Sequence, residues 1–437
     1  MLSFDVMLAI DVVLAMIALV RLRPATFIVA VNVCNMLLAL SNIEEFGQPS
    51  SQSYLPAAVF DPAQLQTATT IFNIVTITLL LAVALPKAKD KPEGALPPLS
   101  RAVMITLVVY FIAFTLSSKS IVVNAYSDAQ RTLFWVPLGG VIAFGEGLVL
   151  YEIYRRARVG SLNSWRALAL LFVFLLITDY SKGSTGSATG FAFTAAFLIL
   201  GRTGRPWVRP LKIFGVLAGA VVLALLVRQT RSTLYAEGSD AVAAASENLA
   251  SAEERRASTA SGIEGSTNGS QNAAHVLECA LLYNAGYSRE WRSLYLPILY
   301  TFQPQFIMEL LGRERQMDAP WELAEYFIHG GGLAIFGEMY WNGGYACVVL
   351  ISALVLLIAY FADTRSHRSF GWVIFHCMYV PILFPGMGYG LNYLFRGASN
   401  ALLAFVAYKL FARVRTLSTR TLPGPTTERG PRTWRAA

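Results

Sequence analysis

Charge is what this sequence has least of. Asp, Glu, Lys and Arg together make 14% of the 437 residues, where a soluble domain carries about a quarter. The four cysteines, Cys34, Cys279, Cys347 and Cys377, form no CxxC pair. Three of them fall in apolar stretches, so neither a disulfide framework nor a zinc site is indicated. Alternating ten-residue segments are absent, which argues against a transmembrane barrel. No internal repeat and no symmetry between halves is present either. What the chain has instead is apolar bulk, 55% hydrophobic residues and a mean hydropathy of +0.50. One water-soluble core cannot hide so many apolar side chains, which excludes a cytosolic enzyme and a nucleic-acid-binding module. The net charge of +8 therefore reads as basic residues in cytoplasmic loops rather than as a nucleic-acid footprint.

The hydrophobic runs predict an all-α, polytopic membrane helix bundle of about eleven spans, at 3–20, 25–43, 67–86, 102–117, 133–153, 167–180, 185–200, 212–228, 343–361, 370–385 and 397–412. A spanning helix needs roughly 20 apolar residues, so the two short runs within 167–200 are either tilted or form a hairpin. With the N-terminus outside, 23 of the 35 basic residues fall in cytoplasmic loops and the tail, the distribution that basic residues follow in membranes. The first span lacks a basic leader and a small-residue cleavage site, and so reads as an uncleaved helix. This divides the chain into a membrane bundle at 1–228, a large external loop at 229–342, C-terminal spans at 343–412 and a basic cytoplasmic tail at 413–437. Within the loop, 237–274 is rich in Ala, Ser, Gly and Glu and reads as flexible or partly helical. From His275 to Phe306 it is dense in Leu and Tyr, as an interfacial helix docked on the bundle would be.

Ionisable groups within the membrane are costly, which makes them functional candidates. Asp11 and Glu146 lie inside spans. Asp11 is accounted for by a local hydrogen bond to a neighbouring helix, whereas Glu146 fits either a structural or a functional role. The turn Asp179-Tyr-Ser-Lys182-Gly-Ser-Thr-Gly resembles the start of a phosphate loop, but the GxxxxGK[ST] spacing is absent. It reads either as a connecting turn or as a nest for an anionic headgroup built on Lys182. Arg228 and Arg231 stand where the eighth span leaves the membrane, Arg289 and Arg292 in the aromatic stretch SREWRSLYLP, and Arg396 before the last span. Arginine grips phosphate oxygens with a bidentate fork. The competing reading is headgroup anchoring, which is stronger for Arg228 than for Arg292 or Arg396.

The most informative block runs Glu325-Tyr-Phe-Ile-His329-Gly-Gly-Gly-Leu-Ala-Ile-Phe-Gly337-Glu338-Met-Tyr340-Trp-Asn342-Gly343-Gly344. Its glycines allow close backbone approach to a ligand, and its Glu338 and His329 can shuttle protons. A structured turn with a capping Glu is the plainer alternative.

At this block the chain resembles the Wzy-type polymerases of bacterial polysaccharide repeat units, which are related to the O-antigen ligases. The resemblance rests on the many spans, the one large late loop, and the stretch GEMYWNGG, which matches a G-E-x-Y-x-N-x-G pattern at Gly337, Glu338, Tyr340, Asn342 and Gly344. The Ser181-Lys182-Gly183-Ser184 turn is similar to one that these proteins carry, but Thr185 follows where the family often has an Arg. The resemblance implies a metal-independent glycosyl transfer without cofactors at the periplasmic face of a bacterial inner membrane. Its substrates would be a glycan on polyprenyl diphosphate and a lipid-linked repeat unit, with a flippase and a chain-length regulator as the partners it admits and no nucleic acid. Glu338 or His329 would be the catalytic base, with Arg292, Arg396, Arg289, Arg231, Arg228 and Lys182 holding the diphosphate, and Glu146, Tyr340 and Asn342 as further candidates. A ligase that moves a finished glycan to another acceptor, and a transporter or flippase of lipid-linked sugars, are the other readings. A transporter would be expected to show inverted repeats, which this chain lacks.

Overall fold

A computed structural model describes residues 2–47, 55–86, 96–117, 136–179, 185–237, 269–292, 319–327, 333–365 and 369–395, and most of 397–406; side chains within 112–143 and from 228 to 237 lie outside that description. The described residues form twelve α-helices: α1 Phe4–Val20, α2 Pro24–Phe46, α3 Pro62–Ala84, α4 Arg101–Ser117, α5 Val136–Arg158, α6 Ser164–Thr178, α7 Thr185–Leu200, α8 Arg209–Glu237, α9 Gly269–Asn284, the five-residue α10 Ala319–Leu323, α11 Ile335–Arg365 and α12 Phe370–Tyr389. Further helical residues occur between 391 and 406. The only strand-like pairing among them is an isolated parallel bridge between Leu333 and Tyr389. The described residues form an all-α bundle. Among the described residues, five helices are long and apolar enough to cross a membrane: Pro24–Phe46, Pro62–Ala84, Arg209–Val227, Ile335–Arg365 and Phe370–Tyr389, with shorter apolar helices at Ser164–Thr178 and Gly186–Leu200.

Several helix starts are legible in the sequence. Ser3 accepts the Val6 N–H at the start of α1, and Asn163 accepts from Trp165 at the start of α6. Pro24 and Pro62 occupy first-turn positions, where a missing N–H costs nothing. The N–H groups left at the start of α2 find a distant partner: Asp363, near the end of α11, accepts from Ala25 N at 2.8 Å, Thr26 N at 2.9 Å and the Thr26 hydroxyl at 2.7 Å. Beside it the buried Arg23 donates to the last carbonyls of α3, Ala82 at 3.1 Å and Leu85 at 2.6 Å, and Tyr360 donates to Pro86. This clasp ties α2, α3 and α11 together at one end of the bundle by satisfying orphan backbone groups.

Small residues set the closest helix contacts. Gly186 and Gly190 form a GxxxG pair on α7, and a Cβ at either would meet Pro385 or Pro381 of α12. Pro385 has no N–H, so the Pro381 carbonyl loses its helical donor, and this carbonyl is what lies against Gly190. Helix α9 overlaps the segment, from His275 onward, expected to dock on the bundle. It covers 269–284 and packs into the bundle against α2, α3 and α11. Ala273, Ala274, Val276, Leu277, Cys279 and Ala280 are all buried. Their small size lets the backbones close up, so that a Cβ on Gly337 would stand 2.9 Å from the His275 carbonyl.

The block GEMYWNGG also departs from its reading as a loop. Helix α11 begins at Ile335 and breaks only at Gly343 (φ −163°, ψ 29°) and Gly344 (φ 62°, ψ −153°) before continuing to Arg365. The space these two glycines leave is filled by side chains. A Cβ on Gly343 would meet the Trp291 indole at 2.8 Å, and one on Gly344 the Tyr283 hydroxyl at 2.6 Å.

Candidate functional site

The helix break organises the site. Carbonyls of Trp341 and Asn342 at the break accept N–H groups from a separate segment, Arg289 N and Trp291 N, each at 3.0 Å. That segment follows the end of α9, where Gly286 (φ 90°) closes a Schellman turn with Tyr287 N bonded to Leu282 O and Gly286 N to Tyr283 O. Glu290 (φ 50°) and Trp291 (φ 67°) then follow in the left-handed region, a conformation that costs a non-glycine residue about 1–2 kcal/mol. Trp341 Nε1 donates to the Tyr287 carbonyl at 2.6 Å, completing the attachment. The strained turn turns Arg289 inward and leaves Arg292 at the rim.

Arg289 has a side chain only 1% exposed. Its Nε donates to Glu322 Oε2 at 2.8 Å, its Nη1 stands 3.7 Å from Glu338 Oε1, and its guanidinium lies 5.3 Å from the centroid of the Trp341 ring. Glu338 is buried in the first turn of α11, where the helix N-terminus favours an anion. Its other oxygen accepts the Leu391 N–H at 2.7 Å, and a Cβ at Gly390 would collide with that oxygen. Asn342 is fully buried and donates to the Glu338 carbonyl at 2.6 Å. Arg292, three residues after Arg289, meets the same Glu322 at 3.5 Å with its side chain 43% exposed. Tyr340 donates to Asn284 Oδ1 at 3.0 Å, and the Asn284 amide donates to Gln64 and Thr67 of α3.

The structure thus brings together Arg289, Arg292, Glu338 and Asn342, whereas the Tyr340 side chain is directed to Asn284, Tyr283 and Tyr345. Glu146 sits elsewhere, buried in α5, which packs on α12. Asp11, as read, faces a neighbouring helix and accepts the Thr76 hydroxyl at 2.8 Å. Arg228 and Arg231 belong to α8, which continues to Glu237 past the expected exit; their side chains, and all of His329, Lys182 and Arg396, lie outside the described residues. No group of three or more His, Cys, Asp or Glu suited to a metal is found among the described residues.

Two acidic residues of this region escaped the sequence reading. Glu322 bridges both arginines but stands 33 residues from Arg289, with no motif around it. Glu278 lies on α9, 2% exposed, with Oε2 lacking a hydrogen-bond partner among the described residues. Burial raises its carboxyl from an ordinary 4.5 to about 8. Burial, then the carboxylates of Glu278 and Glu338, also push the neighbouring Cys279 thiol well above its usual range, which makes it inert as a nucleophile. Because the folded Glu278 holds a proton that the unfolded chain releases, stability falls as pH rises from about 4.5 to about 8 and levels off above. Glu278→Gln removes this cost. The variant's apparent melting point in detergent should exceed the parent's at pH 8, by the equivalent of about 2–4 kcal/mol, and match it near pH 5. Equal melting at pH 8 would show that Glu278 finds a partner when charged.

Comparison of the chain with known families, curated proteins and solved structures gives no match.

Proposed function

We propose that this chain is an integral-membrane glycosyltransferase that polymerises lipid-linked polysaccharide repeat units at the periplasmic face of a bacterial inner membrane. The observation that carries the reading is the joining of the paired arginines of the SREWR turn to the GEMYWNGG helix start around one buried charge cluster. A glycan leaving a polyprenyl diphosphate needs cationic stabilisation of the leaving group more than it needs protonation. Arg289 supplies a cation beside Glu338, and Arg292, open at the rim, supplies a second beside Glu322. In the reaction the acceptor hydroxyl oxygen attacks the anomeric carbon, and the bond from that carbon to the diphosphate oxygen breaks. The electron pair stays on the diphosphate, and the hydroxyl proton passes to Glu338 or His329.

The proposed topology has about eleven spans, an external N-terminus, a cytoplasmic C-terminus and the 229–342 segment on the periplasmic side. Arg396, Arg231, Arg228 and Lys182 belong to the same proposal as further holders of the diphosphate. Ligase chemistry differs only in the acceptor, so the test is what accumulates in cells without the protein. Deletion should leave lipid-linked glycan stalled at one repeat unit, read by mass spectrometry of the extracted lipid. Full-length glycan left unattached would point to the ligase, and repeats trapped on the cytoplasmic face to a transporter.

A further inference from the structure

Glu322 engages both arginines with a single carboxylate. Oε2 takes the Arg289 Nε at 2.8 Å and Oε1 faces the Arg292 Nη1 at 3.5 Å. One anionic group with an oxygen for each of two guanidiniums is also how a phosphate edge would sit between them. The acid comes from α10, a single helical turn. This short segment is pinned by Ala319, Leu323 and Phe327, while Ala324, Glu325 and Tyr326 are exposed. Glu322 itself is 17% exposed and Arg292 43%, so water reaches the rim of the cluster while Arg289 stays covered.

We propose that Arg289 and Arg292 form an anion seat whose resident occupant is Glu322, and that a diphosphate enters by displacing this carboxylate. The proposal rests on the reading of these arginines as diphosphate holders and adds the residue that competes for them. Exchange of one anion for another keeps Arg289 paired on both sides, with Glu338 at 3.7 Å on one and the incoming anion in place of Glu322 on the other, so its closest ion pair is never simply lost. Departure of Glu322 with α10 would also uncover Arg289 for the ligand. The seat would then be empty only in passing, and an unmatched headgroup would have to outcompete a carboxylate already in place. A competitor built into the protein lowers apparent affinity by the fraction of time it occupies the seat.

The test uses the full-length protein in phosphatidylcholine nanodiscs with two probes, farnesyl diphosphate and inorganic pyrophosphate. Glu322→Gln keeps the size and a hydrogen-bond acceptor but removes the charge, so it should bind farnesyl diphosphate about tenfold tighter than the parent. In the parent, saturation with farnesyl diphosphate should speed amide hydrogen exchange across residues 319–327, a readout that needs no variant. Tightening for both probes assigns the seat to the diphosphate group itself, and tightening for farnesyl diphosphate alone assigns it to the lipid-linked form. Binding in the parent that Glu322→Gln leaves unchanged or weakens, with no faster exchange at 319–327, overturns the displacement while leaving the diphosphate reading in place. Absence of binding in parent and variant alike overturns both.

Discussion

Arg289→Ala should be the most damaging single change in the described structure, lowering stability by about 3–5 kcal/mol and cutting the amount of folded protein recovered from membranes. The reason is an imbalance of charges. Arg289 is the cation between two carboxylates, Glu322 and Glu338, and its side chain is 1% exposed. Removing it takes the cation from the buried Glu338 and leaves Glu322 with only its longer contact to Arg292. The same change at Arg292, 43% exposed and 3.5 Å from Glu322, should cost no more than about 1 kcal/mol, as exposed pairs do. Fluorescence-detected size exclusion after heating detergent extracts would rank the variants. Adding Glu338→Gln to Arg289→Ala should recover part of the loss, because one of the stranded charges is then gone. If Arg289→Ala melts with the parent, the buried cluster contributes nothing to the fold and the ion pairs are incidental.

How much of this was legible in the sequence depends on how far apart the interacting parts lie. Apolar runs announce helices through composition alone, and Ser3, Asn163, Pro24 and Pro62 mark starts by local chemistry. The GEMYWNGG block stood out because glycine, acid and amide seldom crowd together in an apolar chain. Its meaning was less accessible. Glycines that suggested room for a ligand make room for Trp291 and Tyr283, and the helix begins before the block rather than after it. Neither fact has a local signature, since the rings arrive from the segment around the end of α9. Asp363 capping α2 spans more than three hundred positions, and Glu322 finds Arg289 across 33. The burial of helix α9 was hard to read for a related reason. Its alternation of Ala, Cys, Glu and His looks only moderately apolar, yet small residues permit the close packing that buries it.

Glu338→Gln separates a catalytic carboxylate from a structural one. The amide keeps an oxygen to accept the Leu391 N–H, and Arg289 keeps its shorter bond to Glu322 at 2.8 Å, so the fold should lose only about 1 kcal/mol. What the amide cannot do is take a proton. If Glu338 is the base of the proposed transfer, turnover in reconstituted membranes should fall by about 10²–10⁴-fold. Binding of a polyprenyl diphosphate should hold within a few-fold, because the arginines that grip it are intact. The pattern is a loss in kcat with KM for the donor unchanged. His329→Ala is the companion measurement, since the same block of sequence offers it as the other base. Loss at His329 with an active Glu338→Gln would move the proton to the histidine and leave Glu338 as the group that orients Arg289. Full activity in both would remove this cluster from the chemistry, and the buried charges would then serve to hold α9, α10 and α11 together.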